Sequence, residues 1–122
     1  MTGSATNDAA KPLILTDNDT GDKYTLEFSR ESVKFAEARG FDVEDVGKYP
    51  MTKVPDLFFY AFRKNHRGVP RERTDRMLFD DLKGLSPAAI ERLLALYTAP
   101  FEALVVAEDD GGEKNARMTV EL

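Results

Sequence analysis

The clearest pattern in the sequence is a run of apolar residues at helical spacing over residues 54–62. Five apolar side chains fall at i, i+3, i+4, i+7 and i+8 on one continuous stripe: Val54, Leu57, Phe58, Ala61 and Phe62. The stripe predicts a helix from about residue 52 to residue 65 or 66, with Phe59 and Tyr60 on its two flanks. Such a helix is either the central element of a small bundle or a docking surface for another protein.

Two apolar runs that precede this helix predict a β-hairpin. Tyr24, Leu26 and Phe28 alternate with polar residues, which is the periodicity of a strand, and residues 13–16 form the earlier run. Residues 17–22 between them are almost all turn-forming. An isolated two-stranded hairpin is only marginally stable in water, so we expect this one to pack on a helix or to pair with a partner.

Capping residues predict further helices on both sides of the central one. Ser29 can cap a helix that runs to about residue 39, where Gly40 stops it, and residues 41–46 favour a short helical turn. Gly68 and Pro70 then separate the end of the central helix from a new one that runs to residue 82 or 83.

The last predicted helix begins at Ser86, an N-cap followed by proline. It carries the longest helical stripe in the chain: Ile90, Leu93, Leu94, Tyr97, Phe101, Leu104 and Val105. Pro100 should end or kink this helix near residue 98, because proline cannot continue the hydrogen-bond ladder.

These elements predict an α+β fold, mainly α, in which an N-terminal β-hairpin packs on a bundle of four to five helices. The domain covers residues 12–106, after a disordered tail over residues 1–11 and before a flexible acidic tail over residues 107–122. Within that tail, residues 118–122 alternate weakly, so they are either a frayed terminus or a strand that adds to a partner's sheet.

Composition narrows the possible functions. The 122 residues suit one domain, and the net charge of −5 argues weakly against a general nucleic-acid binder. Cysteine is absent and histidine occurs once, which excludes disulfides and argues against a zinc site. No apolar run reaches membrane-spanning length, and the N-terminus does not resemble a signal peptide. We therefore expect a cytoplasmic protein that has no cofactor and no membrane contact.

The candidate chemical groups do not form a catalytic pattern. The turn over residues 17–22 is rich in aspartate but departs from a calcium-binding loop, because Gly21 stands at its fifth position and Phe28 at its twelfth. His66 is interpreted as a helix cap or a surface residue, and Asp80 and Asp81 as a surface pair. We expect that the protein is not an enzyme.

The most basic part of the chain is residues 63–76, which contain a predicted basic patch: Arg63, Lys64, Arg67, Arg71 and Arg73. One interpretation is an electrostatic surface that meets an acidic protein. The other is phosphate contact by a small nucleic-acid-binding regulator, since a helix, a turn and a second helix imitate a helix-turn-helix. Aromatic residues do not interleave with the arginines, so nucleic acid is the less favoured partner.

The order and spacing of six short segments resemble the small tail assembly chaperones of long-tailed phages and prophages of Gram-positive bacteria. The segments are YTLEFSRESVK (24–34), GFD (40–42), PDLFFYAF (55–62), TD (74–75), DLKGL (81–85) and LLALYTAP (93–100). The match runs in order over about residues 12–105 and leaves both ends of the chain outside it. A long polar segment before Lys11 and the arginine-rich turn depart from the family pattern.

The resemblance implies a mostly helical, non-enzymatic protein. Such chaperones coat the tape measure protein before tail tube subunits polymerise around it, and many exist also as a longer frameshifted form. The implied partners are the tape measure protein, the tail tube protein and further copies of the chain. This role requires apolar surface, for which the expected partner-binding residues are the following: Phe59, Tyr60, Tyr97, Phe101 and Leu104.

Overall fold

The computed structural model describes residues 11–105 and 117–122 of the chain. It opens with the expected hairpin, formed by β1 (Leu13–Thr16) and β2 (Lys23–Leu26). The two strands are antiparallel, with Ile14 opposite Thr25. In the turn between them, the Asp17 carboxylate accepts hydrogen bonds from the amides of Asp19, at 2.9 Å, and Thr20, at 3.2 Å. The aspartates that suggested calcium thus help to build the turn itself.

Four α-helices follow the hairpin: α1 (Arg30–Ala38), α2 (Pro50–Ala61), α3 (Arg71–Arg76) and α4 (Pro87–Thr98). Three other helical segments adjoin them: a 3₁₀ turn (Val43–Asp45), a π-helical segment (Met77–Asp81) that continues α3, and a 3₁₀ segment (Ala99–Leu104) that continues α4. The predicted α+β fold, mainly α, with an N-terminal hairpin packed on helices, is confirmed. None of the described helices has both the length and the apolar character to cross a membrane.

The predicted ends of α1 and α4 are confirmed by their capping bonds. The hydroxyl of Ser29 accepts from the Ser32 amide at 3.2 Å, and the Ser32 hydroxyl accepts from the Ser29 amide at 2.8 Å. These two reciprocal bonds form a capping box in which Ser32 takes the place of the usual glutamate or glutamine at N3. Gly40 follows α1 with a φ of 83°, a conformation that favours glycine. At α4, Ser86 caps the helix and the backbone changes to 3₁₀ geometry at residue 99, beside Pro100.

The predicted bounds of the central helix are wrong at both ends. Helix α2 begins at Pro50 rather than near residue 52, because proline is well suited to the first helical position. It ends at Ala61 rather than at residue 65 or 66, because the chain turns over residues 62–65 to meet the hairpin. The predictions for the two tails concern mainly residues 1–10 and 106–116, which lie outside the described part of the chain.

A single aromatic-rich core surrounds α2, which contacts α1, α3, α4 and the 3₁₀ turn at Val43–Asp45. Leu57 and Phe58 are fully buried. Tyr60 and Tyr97, which the sequence suggested as surface residues, are also in this core, with 7% and 1% of their surface exposed. Phe41 lies between these two tyrosines, with its ring centroid 5.4 Å from each. Edge-to-face contacts of this kind add to the stabilisation from burial.

The outer edge of β2 contacts the end of α2 and the residues that follow it, and these contacts dock the hairpin on the helices. The Thr25 amide donates to Nε2 of His66 at 2.9 Å, and the Thr25 carbonyl accepts from the Asn65 side chain at 3.1 Å. Two residues further along, the Glu27 amide donates to the Ala61 carbonyl at 3.2 Å. His66 is therefore not a surface residue or a helix cap. It closes the edge of a strand, as a third strand would.

We expect Phe58→Ala to lower the free energy of unfolding by about 3–5 kcal/mol, because it leaves a cavity in the centre of the core. Met51→Ala is the matched control on the same helix, since Met51 is 82% exposed, and its effect should stay within about 0.5 kcal/mol. Urea unfolding followed by circular dichroism measures both. Equal effects of the two substitutions would contradict the assignment of the core.

We expect His66→Phe to destabilise the fold by about 1–3 kcal/mol, because the ring still packs on Tyr24 and Phe62 while the Thr25 amide loses its acceptor. Amide hydrogen exchange should accelerate at Thr25 in this variant. Arg67→Ala, at the exposed neighbouring position, serves as the control. Unchanged protection of the Thr25 amide in His66→Phe would show that the imidazole does not hold the strand.

Candidate protein-docking surface

The five expected partner-binding residues do not form one exposed surface. Tyr60 and Tyr97 are core residues, as described above, because α2 is covered on more sides than its sequence stripe implies. Burial raises the pKa of the Tyr97 hydroxyl to about 12, and the nearby carboxylates of Glu37 and Asp42 add to the rise. Neither tyrosine offers an exposed ring to a partner.

The other three expected residues are more accessible and are divided between two elements, with Phe59 on α2 and both Phe101 and Leu104 on the last 3₁₀ segment. Phe59 on α2 is half-buried, with the Arg71 guanidinium 5.8 Å from its ring centroid. Phe101 is half-buried against Tyr97, and Leu104, at the end of the last 3₁₀ segment, is 73% exposed. Leu104 and its neighbour Val105 thus keep the exposed apolar character that the sequence predicted.

Another open surface lies between the hairpin turn and the π-helical segment, in a groove of about 460 Å³ that we call the hairpin groove. Apolar groups line part of it: Leu15, Tyr24, Met77 and Leu82. Four carboxylates also line it: Asp17, Asp19, Asp80 and Asp81. A single cation, Arg73, joins them and donates to the Tyr24 hydroxyl at 3.1 Å.

The backbone beside the hairpin groove leaves regular helical geometry. The Leu82 amide donates to the Met77 carbonyl at 2.8 Å, five residues back, as in a π-turn. Lys83 then takes a φ of 57°, which is uncommon for a residue that has a side chain, and Gly84 follows with a φ of 101°. Beside this turn, Leu82 is 39% exposed, and Phe79, three residues earlier, is 52% exposed.

Sequence reasoning missed the hairpin groove. Its apolar residues come from the two strands of the hairpin and from the end of a helix that lies more than 50 residues further along the chain, and neither segment is unusual on its own. The available signal was the pair Asp80 and Asp81, which interrupts the apolar run over residues 77–82 just before Gly84. That pair was interpreted only as a solvated surface.

Two arginines, Arg39 after α1 and Arg63 after α2, pack on the same aromatic ring. The guanidinium carbons of Arg39 and Arg63 lie 3.6 Å and 3.7 Å from the ring centroid of Phe35. Two cations this close to one centroid must occupy opposite faces of the ring. Each contact is a cation–π interaction, which is favourable because the face of an aromatic ring is electronegative.

Most of the remaining predicted basic patch makes specific contacts within the protein. Arg71 donates to Asp56 and to Asp75, each at 2.9 Å, and joins α3 to α2. Burial alone would lower the pKa of Arg71, but its hydrogen bonds to the two carboxylates outweigh that effect and raise it. Lys64 lies 3.2 Å from the Glu27 carboxylate. Of the five basic residues, only Arg67 makes no ion pair, side-chain hydrogen bond or cation–π contact with the described residues.

These contacts favour a structural role for the basic patch. The charged groups are divided among an aromatic ring, an interhelical ion pair and the edge of the hairpin. A nucleic-acid surface instead needs cations that are free to meet successive phosphates. Across residues 11–105 and 117–122, no three His, Cys, Asp or Glu side chains are grouped so as to hold a metal ion.

Glu27 makes the stability of the hairpin dependent on pH. The Asn65 side chain donates to its carboxylate at 3.0 Å, and this bond, with a smaller contribution from Lys64, lowers the pKa of Glu27 below the ordinary 4.5. The charged form is therefore favoured in the folded state. Its contribution to stability is complete above pH 4.5 and is lost as the pH falls through the lowered pKa.

We expect Glu27→Gln to remove part of the loss of stability on acidification, because glutamine takes up no proton over this range. Urea unfolding at a series of pH values on both sides of 4.5 measures the effect as a smaller slope of stability against pH. A slope identical to that of the unsubstituted chain would show that the Glu27 carboxylate is not stabilised by folding.

The chain belongs to the family described as Domain of unknown function (DUF5055), whose model matches residues 9–122. None of the curated proteins and none of the solved structures matches the chain. The family description names no activity, so a proposal about function depends on the residues and surfaces described above.

Proposed function

We propose that this member of the family is a non-enzymatic tail assembly chaperone of a long-tailed phage, which binds the tape measure protein and keeps it soluble while the tail tube assembles. The ordered set of six family-like segments supports this role. The host cytoplasm is the compartment in which such assembly takes place. The tail tube protein and further copies of the chain are the other partners that the resemblance implies.

The observation that carries the proposal is the hairpin groove. A chaperone for an aggregation-prone polypeptide needs accessible apolar surface that is bordered by charge, so that it binds apolar side chains and remains soluble. Leu15 and Leu82 supply accessible apolar lining above the buried Met77, and four aspartates supply the charge. The exposed Phe79 extends apolar surface along the same π-helical segment.

The charge of the hairpin groove indicates which segment of the partner it binds. Four carboxylates against the single cation Arg73 favour a segment that carries lysine or arginine beside its apolar residues. An amphipathic helix presents both kinds of side chain on adjacent faces. We therefore expect the groove to bind basic amphipathic helical segments of the tape measure protein.

Co-expression with a cognate tape measure protein should yield a soluble complex. Leu82→Glu should weaken binding at least tenfold, which corresponds to about 1.4 kcal/mol, because it removes an accessible apolar contact and adds a charge. The double variant Asp80→Lys/Asp81→Lys should weaken it through charge repulsion. Co-purification, followed by titration of isolated tape measure segments by calorimetry, measures each effect.

Two matched controls separate binding from folding in this experiment. Met51→Glu introduces the same charge at an exposed apolar position on α2, and Glu91→Lys reverses an exposed charge on α4. Neither control should change the affinity, and circular dichroism should show that all four variants are folded. Failure of the unsubstituted chain to co-purify with the tape measure protein at any ratio would contradict the proposed function.

A further inference from the structure

The two edges of the hairpin are not equivalent. Asn65 and His66 bond the carbonyl and amide of Thr25, so these groups point away from β1. Thr25 lies opposite Ile14, and in an antiparallel pair the residue opposite an outward-pointing residue also points outward. The amides and carbonyls of Ile14 and of Thr16, two residues further along, therefore face away from β2.

Among the residues that the structure describes, none pairs with the outer edge of β1, whereas Asn65 and His66 close the outer edge of β2. The main-chain groups of Ile14 and Thr16 make no hydrogen bond on this side to any residue that the structure describes. Ile14 is also 51% exposed. A strand edge of this kind offers amides and carbonyls at the spacing that another strand requires. Pro12, which lacks an amide hydrogen, limits that edge at its start.

Residues 117–122 have the sequence pattern of a strand without a partner. Met118, Val120 and Leu122 alternate with Thr119 and Glu121, which would place three apolar side chains on one face. All six residues are exposed, and the three apolar side chains are at least 82% exposed. The segment forms no hydrogen bond with the described residues of its own chain.

The open edge and the unpartnered segment complement each other. The family match extends to residue 122, so the segment belongs to the matched domain. On the core side of the sheet, Leu13 and Leu15 of β1 are only half-buried. If residues 117–122 formed a strand beside β1, the face that carries Val120 would cover Leu13 and Leu15. The opposite face, which carries Thr119 and Glu121, would then lie beside the exposed Ile14.

We propose that residues 117–122 of one copy of this chain add as a third strand to the outer edge of β1 in a second copy. A second copy is the occupant because the segment lies exposed and unbonded to β1 within its own chain. Exchange between two copies closes both open edges in a dimer, and exchange in one direction gives a longer chain of copies. This self-association is independent of whether the hairpin groove binds a tape measure protein.

The test uses disulfide formation between singly substituted chains, because the protein has no cysteine of its own. Ile14→Cys mixed with Glu121→Cys or Thr119→Cys should give disulfide-linked dimers, since these side chains share the outer face of the sheet. Ile14→Cys mixed with Val120→Cys is the matched control, because residue 120 points to the opposite face. We expect at least fivefold more cross-linked product for the better of the two pairs than for the control, on non-reducing gels.

Light scattering after size-exclusion chromatography provides the second readout. The whole chain should show at least twice its monomer mass of 13.7 kDa at high concentration, and a chain that ends at residue 116 should be monomeric with an unchanged circular dichroism spectrum. A monomeric whole chain at every concentration overturns the proposal. So does equal cross-linking of all three pairs, or association that persists in the shortened chain.

Discussion

The constraint on which the rest of the structure depends is the apolar surface of α2. Leu57, Phe58 and Phe62 are buried together with Tyr60, so this helix has to be covered on more than one side. Helices α1 and α4 pack against it, while α3 is tied to it by Arg71 and Asp56. The neighbouring helices are short, and isolated helices of their length are at best marginally stable in water, so burial against α2 supplies the missing stabilisation.

Much of the fold was predictable from the sequence, because its signals are local. Alternation in β2, the serine caps at Ser29 and Ser86 and the break at Pro100 each depend on residues within one or two turns. The candidate site was not predictable in the same way. Tyr60 was expected at the surface because a single stripe defined the buried face of α2, whereas burial on several sides depends on where distant elements pack. The hairpin groove and the bond from Thr25 to His66 likewise join segments that are far apart in sequence.

The roles of the charged side chains likewise depend on contacts that form only in the folded chain. In the sequence, the arginines form one basic segment, which favoured an electrostatic surface. In the fold, Arg63 packs on an aromatic ring and Arg71 bridges two aspartates, so their charges are used within the molecule. The aspartates of the hairpin groove remain at the surface, where Arg73 is the only cation among its lining residues. An acidic surface that includes apolar side chains suits a polypeptide partner better than a phosphate backbone.

The bond from the Thr25 amide to His66 spans 41 residues, and this separation affects the order in which a newly made chain can fold. At the usual rate of synthesis of about 5–20 residues per second, the ribosome adds His66 roughly 2–8 s after Thr25. Until then the nascent hairpin lacks the imidazole that closes the edge of β2. The hairpin therefore gains its bonds to residues 65 and 66 only after the segment that follows α2 has been made, and its strand edges remain accessible to chaperones or neighbouring nascent chains during that interval.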